Sequence, residues 1–502
     1  MIYYLKHNLH KLNWAMIGNV LGMVLIAQAC LMVLPVIVDL IYQEGLYDSY
    51  LIVIGICLVL GYALTRTRAK VNNYFAKDGM IAVGLAWIVV SFFGGLPFYL
   101  SGEIPSFVDC FFEAVSGFTT TGSSILTEVE SLKHATLFWR SFTHWIGGMG
   151  ILVFILAILP KSNDRDMHIM RAEAPGPTIG KLVPRMRQSA MILYTMYMGL
   201  TIIQVILLLI GKMPLFDALC NTFGSAGTGG FAIKNTSIGA YNNSYYEIII
   251  TIFMILFGVN FNMYYFLLIK DFKQVFKNEE LRAYLGVILF SIVCITINIL
   301  SMYNFDVLKS IRLASFQVGS IITTTGYATV NFDAWSQTCR AILVVLMFVG
   351  ACAGSTGGGI KVSRFIVMVK TMIKELNSYI HPKSVKKIKM DDKPIEHEVV
   401  RSINVYFITF MILFAFSVFA ISFDGNDLIT NFTAVAATIN NIGPGLELVG
   451  PTQNFGLFSG FSKFVLMFDM LAGRLELFPL LLLFHPTLWK EIASGKIRKL
   501  KK

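Results

Sequence analysis

Apolar residues in this chain gather in runs of about twenty, the length that crosses a bilayer as a helix, and the order of the runs repeats. Four times a long apolar run is followed by a shorter one, a Gly-rich turn bearing Thr, Ser or Asn, and a further apolar stretch. The turns are Thr119-Thr120-Thr121-Gly122-Ser123, Ala226-Gly227-Thr228-Gly229-Gly230, Thr323-Thr324-Thr325-Gly326-Tyr327 and Asn440-Asn441-Ile442-Gly443-Pro444. With Gly122, Gly229, Gly326 and Gly443 aligned, the steps are 107, 97 and 117 residues, which suits a repeated membrane unit and not a solenoid of short repeats. Four such units around one axis make a pore. Glycine permits the backbone conformations that turn carbonyl oxygens to a common centre, and a carbonyl ring can replace the hydration shell of potassium.

The short runs read as re-entrant half-helices. Pro105 and Asp109 open the first, and Pro214 and Asp217 the second, both helix-start signals. A half-helix that enters from outside aims its partly negative C-terminus at the turn, which favours a cation there. The third is less regular, because Lys309 and Arg312 follow Asp306; these bases have no role in a helix start and are placed towards the outer rim.

Composition agrees with a membrane solvent: 55% of the 502 residues are hydrophobic, 14% are charged and the mean hydropathy is +0.66. The seven cysteines are scattered without CxxC or His/Cys ligand spacing, so neither a disulfide framework nor a zinc site is expected. The formal charge of +11 points to membrane orientation and not to nucleic acid. Bases gather in Lys6 to Lys11, Arg66 to Lys77, Lys161 to Arg187, Lys270 to Arg282, Lys370 to Lys393 and Lys490 to Lys502. With ten spans these alternate loops share the cytoplasmic face, together with both termini. The opposite loops carry Glu44, Asp48, Glu103, Glu128, Glu130, Asp306, Asp333, Asp424 and Asp427, either solvated or concentrating cations at an outer mouth.

The resulting fold expectation is an all-α polytopic membrane protein: four helix–pore-loop–helix repeats around one pore, plus an N-terminal helix pair. Its segments are the helix pair at 1–77, repeat 1 at 78–165, a linker with repeat 2 at 166–272, repeat 3 at 273–375, and a cytoplasmic loop, repeat 4 and basic tail at 376–502. Pro160 to Gln188 reads as a cytoplasmic linker, and Ile373 to Glu398 is too short for a soluble domain, so any nucleotide-binding regulator is a separate protein.

The expected potassium-binding filter consists of Thr120, Thr121 and Gly122; Thr228 and Gly229; Thr324, Thr325 and Gly326; and Asn441, Ile442 and Gly443. Hydroxyl and carbonyl oxygens suit a dehydrated hard cation, and the Asn-Asn fourth turn makes the ring asymmetric. Below it, Gly350 and then Gly354, Ser355, Thr356, Gly357, Gly358 and Gly359 interrupt an apolar run. Broken backbone at membrane depth survives where it is buried in protein or lines water, which makes this segment, with Lys361, a movable plug; the alternative is helix packing or a hinge. Its likeness to a phosphate-binding loop fails because Ile360 separates Gly359 from Lys361. Arg474, deep in an apolar helix, is either a cavity charge opposing cation passage or structural glue paired with Asp469 or Glu476. Arg140 and His144 read as buried structural groups, with Glu113 as a partner for the former.

Four motifs carry a resemblance across the whole chain: Trp139 to Gly150 (WRSFTHWIGGMG), Gly258-Val259-Asn260-Phe261, Gly354 to Lys361 (GSTGGGIK) and Gly473-Arg474-Leu475-Glu476. The chain resembles the Trk/Ktr/HKT superfamily of potassium transporters, most of all its bacterial TrkH branch, which has the extra N-terminal pair. The resemblance implies a homodimer in the lipid bilayer of the bacterial cytoplasmic (inner) membrane, one pore per protomer, and a TrkA-like cytosolic ring with nucleotide-binding domains. No cofactor is bound covalently, nucleotide acts through the partner alone, and potassium is the cargo. No catalytic set is found in the spans, so an enzyme is not expected. The expected function is potassium uptake through the filter, gated by the Gly-rich loop and Arg474; the alternative is a proton- or sodium-coupled cation symporter.

Overall fold

The computed structural model describes residues 12–66, 76–150, 186–382, 387–486 and 488. The basic cluster Lys6 to Lys11, nearly all of the linker Pro160 to Gln188 and of the loop Arg66 to Lys77, and the tail Lys490 to Lys502 lie outside the described residues.

Helices α1 (Trp14–Leu31) and α2 (Val33–Tyr42) run on as one span and pair with α3 (Tyr47–Thr65). Asp39 closes their turn by accepting the backbone N–H groups of Leu46 (3.0 Å) and Tyr47 (2.9 Å). The first repeat holds α4 (Ala76–Leu100), half-helix α5 (Phe107–Phe118) and α6 (His134–Met149). The second holds α7 (Met186–Ile210), half-helix α8 (Leu215–Ala226), α9 (Ser244–Phe257), α10 (Phe261–Leu268) and α11 (Phe272–Lys277). The third has α12 (Glu279–Ile299), half-helix α13 (Val307–Ile322), α14 (Gln337–Val349) and α15 (Val362–Ile380). A short hairpin, β1 (Lys389–Met390) with β2 (Lys393–Pro394), precedes the fourth: α16 (His397–Ile421), half-helix α17 (Leu428–Ile439), α18 (Gly460–Arg474) and α19 (Phe478–Leu483).

Six described helical stretches are long and apolar enough to cross a membrane: Trp14–Tyr42, Tyr47–Thr65, Lys77–Leu100, Gln188–Ile210, Glu279–Tyr303 and His397–Asp424. The second helix of each repeat is shorter than the apolar stretch in the sequence leads one to expect. α6, α9, α14 and α18 have 16, 14, 13 and 15 residues, too few to span. α9 meets α10 at 92°. All four stop near the turns, and among the described residues irregular backbone follows α9, α14 and α18.

Half-helices α5 and α8 begin just after Pro105 and Pro214, with Asp109 and Asp217 in their first turns, as expected. Side chains of Ser106, Asp306 and Asp427 cap α5, α13 and α17, accepting the N–H of Asp109, Lys309 and Thr430. The bases on α13 also find roles: Arg312 pairs with Glu247 on α9 (Nε to Oε2, 2.8 Å), and Lys309 lies over the Tyr303 ring. Ion pairs join other repeats at their seams: Lys463 with Asp109 at 2.6 Å, Arg340 with Glu447 at 2.5 Å, and Lys234 with Glu130 at 3.6 Å. Several outer acids thus serve as caps and staples. Asp424 likewise accepts the N–H of Ser459.

Glu44 caps α6 across the junction with the N-terminal pair. Its carboxylate accepts the N–H of His134 (3.0 Å) and Ala135 (3.3 Å), and lies 2.7 Å from the His134 ring nitrogen. Burial opposes ionisation, but these donors prevail and hold the carboxyl below its usual range. A depressed folded-state pKa means stability that is present above about pH 4.3 and lost as the pH falls through the folded value. Glu44→Gln is therefore expected to cost about 0.3–1 kcal/mol at neutral pH. In thermal melts of wild type and variant, that gap should close on acidification.

Candidate ion filter and its floor

Each turn is built by the same two hydrogen bonds, which fix their mutual register. The N–H groups of Thr121, Gly229, Thr325 and Ile442 reach back to the carbonyls of Ser116, Gly224, Ser320 and Ala437, at 2.8 to 2.9 Å. One residue earlier, Thr120, Thr228, Thr324 and Asn441 each have a left-handed φ, between 54° and 59°, and donate to Gly117, Ser225, Ile321 and Thr438. One residue later come Gly122, Gly230, Gly326 and Gly443, with φ of 80°, 75°, 83° and 102°. The aligned glycine of the second repeat is therefore Gly230 and not Gly229, and the steps become 108, 96 and 117 residues. Gly229 corresponds to Thr121, Thr325 and Ile442. A β-carbon disfavours the left-handed region, and the repeat places glycine at the second such position in every turn.

These glycines also close a ring. A Cβ on Gly122 would collide with the carbonyl oxygen of Gly229, one on Gly230 with that of Thr325, and one on Gly326 with that of Ile442; one on Gly443 would lie 2.9 Å from that of Thr121. Each repeat thus presses its glycine on the preceding residue's carbonyl in the next repeat, and the fourth returns to the first. Gly122, Gly230, Gly326 and Gly443 all line a single outer cavity of about 120 Å³. The expected filter residues come together around this axis, joined by Gly230. The ring is asymmetric: Thr119 and Thr323 bond the hydroxyls of Thr121 and Thr325, both at 2.8 Å, whereas Asn441 Nδ2 donates to Thr121 Oγ1 and to the Met470 carbonyl, both at 2.9 Å.

Buried polar groups hold the ring from behind. Arg140 pairs with Glu113 (2.5 Å) and donates to the carbonyl of Ala232 (2.8 Å), while Glu113 accepts the N–H of Ile125 (3.1 Å) and the hydroxyl of Ser124. The segments just past the first two turns are thereby tied together. His144 Nε2 accepts the N–H of Phe231 (3.1 Å), which leaves Nδ1 to donate to the carbonyl of Gly117 (2.8 Å) and the ring neutral.

Beneath the ring lies the segment between α14 and α15. Gly358 N–H donates to Thr324 Oγ1 at 2.6 Å, so the loop touches the third turn directly. Lys361 Nζ, in a residue 2% exposed, donates to the carbonyls of Gly357 and Gly358. The loop's other end faces the break between α9 and α10: Cys352 N–H donates to the Gly258 carbonyl (3.0 Å), Phe261 N–H to the Gly354 carbonyl (3.0 Å), and Thr356 Oγ1 to the Phe257 carbonyl (3.2 Å). Gly357 and Gly358 are thus the residues at the ring, while Gly354 and Ser355 lie to the side.

Arg474 bridges this loop to the first repeat. Nη1 donates to the carbonyl of Thr356 (2.9 Å), and Nη2 donates to those of Gly147 and Gly148 at the end of α6. The acids considered as its structural partners engage elsewhere: Glu476 pairs with Arg364, and Asp469 accepts the hydroxyl of Ser417.

Sequence reasoning missed two supports. Glu280, 4% exposed, accepts the N–H of Ala353 (2.7 Å) and of Ser363 (3.1 Å) on one oxygen, pinning both ends of the loop. Arg364, stacked on Tyr406, joins α15 to the break after α18 through Glu476. In sequence, Glu280 reads as a capping acid beside Glu279, and nothing marks it as buried. Among the described residues no group of His, Cys, Asp or Glu could hold a metal ion.

A family model described as TrkH, cation transport protein, matches residues 50–491. The chain is 35% identical to the Trk system potassium uptake protein TrkH of Salmonella typhimurium, over 96% of this chain and 100% of that one. It is 31% identical to the Trk system potassium uptake protein TrkG of Escherichia coli, over 91% and 94%. The crystal structure of the potassium transporter TrkH from Vibrio parahaemolyticus superposes with a TM-score of 0.85 at 30% identity, covering 95% of this chain and all of that one.

Proposed function

Because the chain belongs to the TrkH family of cation transport proteins, all-helical membrane transporters and not enzymes, we propose that it carries potassium inward through the ring formed by its four turns. The observation that supports the reading is the closed cycle of glycine against carbonyl, which brings the four turns together edge to edge, as a ring of carbonyls that replaces a potassium hydration shell requires. An inside-negative potential favours entry by about 2.3 kcal/mol per 100 mV. The relatives' names as potassium uptake proteins support the same cargo.

The floor is the gate in this reading. Thr356 to Gly358, held by Arg474, Glu280 and Lys361, close the path below the ring. Arg474 adds an electrostatic barrier: unit charges about 8 Å apart repel by roughly 2 kcal/mol at an effective dielectric of 20. Opening moves the loop off Thr324. A cytosolic partner with nucleotide-binding domains drives that movement, and two copies form the working unit in the bacterial inner membrane, termini inward; the basic loops between spans support this orientation.

Growth tests the reading. A bacterium lacking its own potassium uptake systems should grow on limiting potassium when it expresses this chain with its cytosolic partner; no growth despite confirmed membrane insertion of the chain counts against potassium uptake. A second experiment addresses the tether. Glu280→Ala leaves two buried N–H groups without an acceptor, at about 1–3 kcal/mol each, and should lower the melting temperature while raising basal flux two- to threefold. Glu280→Gln keeps an acceptor oxygen and should match wild type.

A further inference from the structure

Away from the turns, the end of α15 and the hairpin β1–β2 enclose a cavity of about 340 Å³ lined by Lys370, Ile373, Lys374, His381, Lys387 and Lys389, with no acid among the described residues of its wall. Lys370 is committed: it pairs with Glu279 and donates to the Lys389 carbonyl at 2.7 Å, which clasps the hairpin to the helix. Lys374, Lys387 and Lys389 form no ion pair among the described residues. Beside the cavity, Val369, Met372, Ile373, Leu376, Tyr379 and Ile380 are 48% to 82% exposed and fall on one helical stripe. Ile373 belongs to both stripe and cavity.

An open apolar stripe adjoining a cavity whose charged described residues are all lysines, on the face the basic loops make cytoplasmic, matches one ligand that is anionic at its head and apolar along its length. We propose that this groove binds an anionic phospholipid of the cytoplasmic leaflet, its phosphate among Lys374, Lys387 and Lys389 and an acyl chain along Ile373, Leu376 and Ile380. The site is independent of which ion the filter passes.

The test is titration of the purified full chain in detergent with fluorescent phosphatidylglycerol. The triple variant Lys374→Ala, Lys387→Ala, Lys389→Ala should bind about a hundredfold more weakly, since each lysine near an anionic headgroup contributes about fivefold. Phosphatidylcholine should not compete. Leu376→Ser should weaken lipid binding several-fold and leave glycerol phosphate binding unchanged. Equal lipid affinity in a triple variant that melts like wild type overturns the proposal. Competition by inorganic phosphate at the lipid's own concentration also overturns it, by revealing a free-anion site. So does a triple variant that keeps the lipid but no longer binds the cytosolic partner, which makes the groove a protein dock.

Discussion

Replacing Gly230 by alanine is expected to cut potassium flux at least tenfold and to blunt discrimination against sodium. The residue has φ of 75°, where an L side chain costs about 1–2 kcal/mol, and its Cβ would overlap the Thr325 carbonyl oxygen. In the proposed filter that oxygen is a potassium ligand, and relief of the overlap would displace it. Gly229→Ala provides the comparison. Gly229 lies outside the left-handed region, and its Cβ would meet the His144 imidazole, a side chain that can be trimmed. Adding His144→Ala should therefore recover part of the flux lost in Gly229→Ala and none of that lost in Gly230→Ala. Equal recovery in both, measured as potassium flux into liposomes with protein content normalised, would remove the register assigned to the second turn.

Arg474→Ala is expected to raise basal flux several-fold. The substitution removes a fixed positive charge and the three hydrogen bonds that tie Thr356 to the end of α6. Arg474→Lys keeps the charge, but an ammonium lacks the planar fork that spans two elements, so its flux should fall between those of wild type and Arg474→Ala. If Arg474 were structural alone, Arg474→Ala would melt at a lower temperature with no gain in flux. Melting temperature and flux measured on one purified sample separate the two outcomes.

Local chemistry made the half-helices and turns legible in the sequence. Pro105 with Asp109 and Pro214 with Asp217 mark two of the starts by helix-start rules, and the Thr-Thr-Thr-Gly turns stand out by their repetition, whereas Asp427 reads in sequence only as an outer acid and not as a cap. The second turn could not be placed to the residue, because Gly227, Gly229 and Gly230 offer several candidates for one left-handed position and only the backbone bonds choose among them. The floor was legible where glycines mark it, at Gly354 to Gly359. After α18, by contrast, the chain turns through left-handed Glu476 and Leu477, residue types that give no such signal. Arg312 with Glu247, Arg364 with Glu476, and Glu280 with the loop each join parts distant in sequence. A one-dimensional pattern carries the charges of these pairs but not their partners.

The central claim is that the ring of four turns passes potassium in preference to sodium, and a bi-ionic flux ratio tests it most directly. Purified wild-type chain in liposomes, with potassium on one side and sodium on the other, should carry potassium faster than sodium, and Gly326→Ala should bring the ratio towards one. A wild-type ratio near one, or a wild-type ratio preserved at normal flux in Gly326→Ala, would contradict a filter at this ring.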